Sequence, residues 1–274
     1  VTTIPERGIV NGLSHDDYHA HHAVSKSGLD RLDRSPAHFR AYLDGVDKDT
    51  EAKRFGRLCH LAILEPERFA METALAPDIN RRTKEGKAQW EDFCRLHAGM
   101  EIVTAEDMET LRHIQESVRS HPTAGELLSY QGTPEVSAFW TDQETGVACR
   151  CRPDLVLGGG VIVDLKSARD ASPRGFERAV AEHRYHVQQA FYLDGFTAAG
   201  GFADTFLFVA FEKEAPFACC VHQLQPEDVA EGRMAYRRNL ESLARCRAEN
   251  RWPAYADTIV QITLPAWARK EMRI

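Results

Sequence analysis

The spacing of apolar positions changes character near residue 130. Upstream, hydrophobic residues recur at helical intervals. In "SKSGLDRLDRSPAHFRAYLDG" (25–45), Leu29, Leu32, Phe39 and Leu43 lie three, seven and four apart, serines suited to N-capping open the segment, and Gly45 closes it. Ser35-Pro36 inside it predicts a break into two helices, because proline removes a backbone donor and restricts the residue before it. "EAKRFGRLCHLAILEP" predicts a further helix stopped by Pro66, and "RTKEGKAQWEDFCRLHAG" with "TAEDMETLRHIQESVRSHP" predicts a helical pair.

Downstream the period shortens. "PEVSAFWT", "GVACRCRPDLV" and "GVIVDLK" are β-type runs punctuated by Gly and Pro. One long helix is predicted near 174–199, then strands in "ADTFLFVAFEK" and "FACCVHQL", then a closing helix from Pro226. Helices, three strands, a helix, two strands and a helix predict an α/β sandwich around a central mixed sheet. With no repeat, low-complexity tract or long linker, one domain over 1–274 is expected, mostly helical over 1–130 and sheet-based over 131–274.

Within "GVIVDLKSARD" (160–170), alternation along a strand puts Val161, Val163 and Leu165 on one face and Ile162, Asp164 and Lys166 on the other. A carboxylate and an ammonium therefore share one side of an apolar strand. A buried salt bridge is the plain explanation of that tripeptide. Asp154, in "RPDL", lies ten residues earlier. A hairpin across "LGGG" would bring the two aspartates together, and adjacent carboxylates repel unless a cation lies between them. Magnesium suits such a place, through two carboxylates, a backbone carbonyl (that of Leu165) and waters. Lys166 would then hold the attacking water and offset charge on a phosphoryl transition state.

Composition adds limits. The 274 residues are 43% hydrophobic and 27% charged, as in an ordinary globular protein, and can bury a substantial core. No apolar run is long enough for a bilayer and the N-terminus lacks a secretion-signal layout, so a soluble, cytoplasmic protein with no membrane partner is expected. Seven cysteines, with no C-x-x-C pair, read as small buried hydrophobes rather than a disulfide framework. A net charge of −7 argues against a surface coated in cation, while leaving room for a local basic channel.

The ordered set of motifs resembles the PD-(D/E)XK nuclease superfamily, and within it the RecE-type exonuclease VIII branch. The likeness covers most of the chain: "SKSGLDRLDRSPAHF", "FGRLCHLAILEP" with His60, "RRTKEGKAQW", "CRPDLV" with Asp154, "VIVDLKS" with Asp164 and Lys166, and "HVQQAFYLDGF" with Gln188 and Tyr192 in a Q-x-x-x-Y motif. It implies a restriction-endonuclease-like sheet and Mg²⁺- or Mn²⁺-dependent phosphodiester hydrolysis. It also implies a metal-proximal His60, Gln188 near the lysine or attacking water, and Tyr192 near the substrate backbone. An imidazole ligand favours manganese. Glu135, read on the first strand, is either a further metal carboxylate or an exposed strand acid. Arg81, Arg82, Lys84 and Lys87 either grip phosphates or form a solvated face, and Ser25, Lys26 and Ser27 read as a helix cap. No clustered cysteine trio follows the core, so no iron–sulfur cluster is expected.

The resemblance implies an exonuclease acting on double-stranded DNA ends, digesting the 5′ strand to leave a 3′ tail for a single-strand annealing protein, with a ring-shaped homo-oligomer as precedent. Two alternatives stand beside it: an endonuclease with the same site, and a degenerate DNA-binding or assembly module.

Overall fold

The computed structural model describes residues 4–45 and 50–265. Its first part carries β1 (Gly8–Val10), α1 (His15–Ala20), α2 (Lys26–Arg34), α3 (Pro36–Leu43), α4 (Glu51–Leu64), α5 (Pro66–Glu72), β2 (Thr73–Leu75), α6 (Lys84–Leu96), β3 (Glu101–Val103), α7 (Ala105–Ser120) and α8 (Pro122–Ser129). Then follow β4 (Gly132–Pro134), β5 (Ser137–Thr141), β6 (Ala148–Cys151), β7 (Leu155–Leu157), β8 (Val161–Ala168), α9 (Pro173–His183), α10 (Tyr185–Ala198), β9 (Thr205–Glu212), β10 (Cys219–His222) and α11 (Pro226–Glu249).

Local chemistry sets most boundaries. The side chains of Ser25, Ser35, Thr50, Thr83, Thr104 and Ser172 each accept a backbone N–H in the first turn of the helix they precede. Ser35 ends α2 and caps α3, which is the break expected at Ser35-Pro36. Pro66 ends α4 as expected, but it also opens α5, since a missing N–H is harmless at a first helical position.

The central sheet has the order β10-β9-β8-β7-β4, with β8 and β9 parallel and the other pairs antiparallel. Alternation along its strands feeds two cores. Ile162, Phe206 and Phe208 pack under α2, α10 and α11; Val163, Leu165, Val209 and Phe211 pack under α4, α7 and α8. The mixed sheet between helical layers is thus as expected.

Four expectations are corrected. The long helix at 174–199 is two helices, because Arg184 sits in the left-handed region (φ 55°) between α9 and α10. The run "GVACRCRPDLV" is split: β6 pairs with β5 and β1 in a separate three-stranded sheet, and only β7 joins the central one. "PEVSAFWT" is split likewise, and Glu135 lies off-strand in the left-handed region (φ 50°), where the chain passes from β4 to β5. Finally, β3 separates α6 from α7; it pairs in parallel with β2, while α7 packs on α4, α8 and β9.

All seven cysteines lie among the described residues and none forms a disulfide; Cys59, Cys149, Cys151 and Cys246 are buried. No described helix is long and apolar enough to cross a membrane.

Helix α10 is held close to α11 by Gly232, where an added Cβ would stand 2.2 Å from the His186 carbonyl oxygen. Backbone cannot yield as a side-chain tip does. Gly232→Ala is expected to push α10 away and destabilise the protein by roughly 1–3 kcal/mol, read as a fall in Tm.

Candidate metal centre

The centre is built where β7 enters the central sheet. Leu155 pairs with Val163, so one further step sets Asp154 opposite Asp164. Asp154 Oδ2 accepts the Leu165 N–H at 2.7 Å, and its carbonyl accepts the Glu135 N–H at 2.9 Å. That second bond continues the β4–β7 ladder and brings Glu135 alongside. A left-handed conformation is strained for glutamate by about 1–3 kcal/mol, so at this position a side chain with a function is a better account than backbone preference. From the opposite helical layer, α4 presents His60, whose Nδ1 lies 3.5 Å from Asp154 Oδ1. Ligand-type atoms of His60, Glu135 and Asp154 all fall within 4.8 Å of one another.

Asp164 is 1% exposed. Its Oδ1 accepts from Gln188 Nε2 at 2.7 Å, and its Oδ2 is ion-paired with the Lys166 ammonium but accepts no hydrogen bond. Lys166 in turn lies 5.0 Å from the centre of the Tyr185 ring. Tyr185 opens α10 immediately after the left-handed Arg184, so the break that divides the predicted long helix also aims Tyr185 and Gln188 at β8.

Electrostatics mark the cluster as short of positive charge. Burial, reinforced by Asp154, pushes the Glu135 carboxyl up to about 7. Burial also raises Asp164, to about 6, with Asp154 adding to the shift and Lys166 opposing it. Burial disfavours the charged form of Asp154 too, but His60, Lys166 and the Leu165 N–H together hold it below the usual carboxylate range. His60 and Lys166 are both raised, as the neighbouring aspartates outweigh the burial that would lower them. Three carboxyls and one imidazole form a donor set that fits a hard or borderline divalent cation.

Residues 25–264 match the family described as "PDDEXK-like domain of unknown function (DUF3799)". The chain belongs to that family. A crystal structure of an inferred exonuclease from Eubacterium rectale shares the fold, with a TM-score of 0.59 and 14% identity over 93% of this chain and 97% of that one. The structure of SSO0001 matches at a TM-score of 0.30 and 13% identity, over 70% of this chain and 86% of that one. No curated protein matches the sequence. The fold of this PDDEXK-like domain is restriction-endonuclease-like.

Of the residues singled out in the sequence, the fold gathers His60, Glu135, Asp154, Asp164, Lys166 and Gln188. Gln188 meets Asp164 rather than the lysine. Leu165 donates its backbone N–H to Asp154. Tyr192 is half-buried, with its ring edge-on to Phe206 at 6.2 Å. Arg81, Arg82, Lys84 and Lys87 do not line the cleft that opens from the centre. That cleft, about 650 Å³, is walled beyond His60 and Glu135 by Arg57, Glu65, Arg68 and Arg152, none of which the sequence motifs single out. Arg152 donates to Ser137 Oγ at 2.9 Å and to the Leu13 carbonyl at 3.0 Å, and its NH1 stands 3.9 Å from Glu135 Oε2. Its place two residues before Asp154 was the available signal. Tyr185, three before Gln188, was legible only once the helix break was known.

Because the Glu135 and Asp164 carboxyls are raised in the fold, the folded state binds extra protons between the ordinary carboxylate range and about pH 7. Their contribution to metal-free stability is expected to fall as pH rises from about 4 to about 7 and then level off. Glu135→Gln should flatten that slope, raise the metal-free Tm at pH 8, and shrink the Tm rise on adding Mn²⁺. In wild type, calorimetry in buffers of different ionisation enthalpy should show protons released on Mn²⁺ binding below pH 7.

Proposed function

We propose that this PDDEXK-like domain is a divalent-metal-dependent DNA exonuclease of the RecE type, a single domain that digests the 5′ strand at ends of double-stranded DNA. The observation that carries the reading is the convergence of Asp154, Asp164, Lys166 and Gln188 around the β7–β8 pair, with His60 and Glu135 closing the same small volume. A buried salt bridge alone accounts for Lys166 and Asp164, but not for two further acids and a histidine beside them. The Eubacterium rectale protein of like fold supports the exonuclease reading.

In this reading His60, Glu135, Asp154 and Asp164 hold Mg²⁺ or Mn²⁺, with the Leu165 carbonyl as a further ligand. When bound, such an ion would supply Lewis acidity and lower the pKa of a bound water. Asp154 is kept ionised and oriented by the Leu165 N–H, so it is ready to bind a cation. Gln188 fixes Asp164 through Oδ1, and Asp164 Oδ2, paired with Lys166, is the oxygen that would face a bound ion. Lys166 then places its ammonium against the water and the developing phosphoryl charge. The ring of Tyr185 limits where that ammonium can go. Tyr192 contacts the DNA backbone, and the basic residues of 81–87, which lie outside the cleft, contact DNA away from the cut. The 3′ tail left behind is a substrate for a single-strand annealing protein, and a ring of subunits would enclose the duplex.

Asp164→Ala and Lys166→Ala are each expected to lower the rate of linear-duplex hydrolysis by at least about 100-fold while the chain stays folded. Unchanged activity in either would overturn the mechanism. Supercoiled circular DNA should resist the wild-type protein and become degradable on linearisation; cleavage of the closed circle would make the enzyme an endonuclease. Tyr185→Phe should keep kcat, and Tyr185→Leu should lower kcat with little change in KM, because it is the ring of Tyr185 that lies against the Lys166 ammonium.

A further inference from the structure

Helix α6 fully buries one residue, Gly86, and half-buries Trp90, Phe93 and Cys94. Yet Lys87, Trp90, Phe93, Cys94 and His97 fall at i, i+3, i+6, i+7 and i+10, on one arc of the helix and its C-cap. Their rings form a ladder. The Arg81 guanidinium lies over Trp90 at 4.2 Å, Trp90 stacks on Phe93 at 5.8 Å, and Phe93 meets His97 at 4.2 Å. Glu85 and Asp92 occupy the opposite arc of the helix.

A short run of cations lies beside the ladder. Arg54, Arg68, Arg95, Arg112, Arg233 and Arg237 are each paired with a carboxylate. Arg81, Arg82, Lys84 and Lys87 are all exposed, and among the described residues none is in an ion pair. In a chain of net charge −7, four unneutralised cations beside a line of aromatic faces call for an anion that also stacks.

We propose that the α6 face is a second nucleic-acid site, outside the catalytic cleft, that binds single-stranded DNA by stacking bases on Trp90 and Phe93 while Arg81, Arg82, Lys84 and Lys87 neutralise phosphates. Aromatic platforms set among cations bind single strands without regard to sequence, since every base has a π-face. A duplex hides its bases, and an acidic protein surface would have no need of the aromatic ladder. The connectivity supports a path between the two sites. β2 and β3 run parallel from Thr73 and Glu101, and Glu72 and Glu101 line the cleft. The crossover helix α6 therefore starts at the far ends of these strands, near the cations, and brings its aromatic arc back toward the cleft mouth. This extends the nuclease reading and rests on it for the origin of the strand: α6 would take up the strand that is not being cut.

The test is titration of a fluorescein-labelled oligothymidylate with the full chain in EDTA, followed by anisotropy, so that binding is read without hydrolysis. Trp90→Ala is expected to weaken binding about tenfold or more, and Trp90→Phe to recover most of it. Arg81→Ala/Arg82→Ala, both exposed and free of ion pairs, should lower the slope of log affinity against log salt by about 0.7 for each phosphate no longer neutralised. Intrinsic tryptophan quenching by the oligonucleotide should shrink in Trp90→Phe. Wild-type affinity in both the Trp90→Ala and the double-arginine variants would overturn the proposal. So would tighter binding to phosphatidylserine vesicles than to the oligonucleotide. Hydrolysis of linear duplex by the wild type, measured separately with Mn²⁺, reports on the nuclease reading alone. A binding-competent but inactive protein would reject that reading and retain the platform.

Discussion

Two aspartates forced together by strand pairing govern the rest of this structure. The hydrogen-bond register of β7 on β8 sets Asp154 against Asp164 in a place nearly sealed from water. Such an arrangement is unfavourable on its own, since each charge disfavours the other and burial disfavours both. The surrounding groups are arranged as partial relief. The Leu165 N–H and His60 support Asp154, and Gln188 and Lys166 support Asp164. Relief is incomplete, which is why Asp164 and Glu135 resist ionisation. That remainder of unbalanced negative charge is what a divalent ion would offset.

The architecture around the pair follows from that requirement. β8 lies inside a five-stranded sheet and is flanked on both sides, so its backbone has little freedom to let the aspartates drift apart. Two helical layers each contribute one element to the site: α4 brings His60 from one face, and α10 brings Gln188 and Tyr185 from the other. Residues in the left-handed region stand at two of the entries. Glu135 turns the chain from the central sheet to the small one, and Arg184 redirects the helix that carries Gln188. Strain of this kind is tolerated where neighbouring structure over-determines it.

Two groups of basic residues have different surroundings. Arg152 and Arg57 wall the cleft beside the acids, and Arg152 is held by Ser137 and the Leu13 carbonyl. Those of 81–87 lie at and just before the start of α6 beside an aromatic ladder, and among the described residues they have no ion-pair partner. The second group stands out as a charge run along the chain and the first does not, because the cleft arginines are scattered in sequence and assembled only by folding.

What the sequence by itself determined is local and periodic. Alternation along "VIVDLK" assigned Asp164 and Lys166 to one face, the glycines of "LGGG" marked the β7–β8 turn, and spacing four apart put Gln188 and Tyr192 on one helical side. Capping serines and threonines marked the helix starts, and the ordered motifs pointed to the PDDEXK-like fold. Only the tertiary structure decided that Glu135 leaves its strand, that the predicted 174–199 helix breaks at Arg184, that β6 and β7 belong to different sheets, and that Arg152 and Tyr185 attend the acids. The physical reason is that periodicity reports which face of an element is apolar. Contacts between elements far apart in the chain depend on register, crossing and backbone strain, none of which leaves a regular mark on the order of residues.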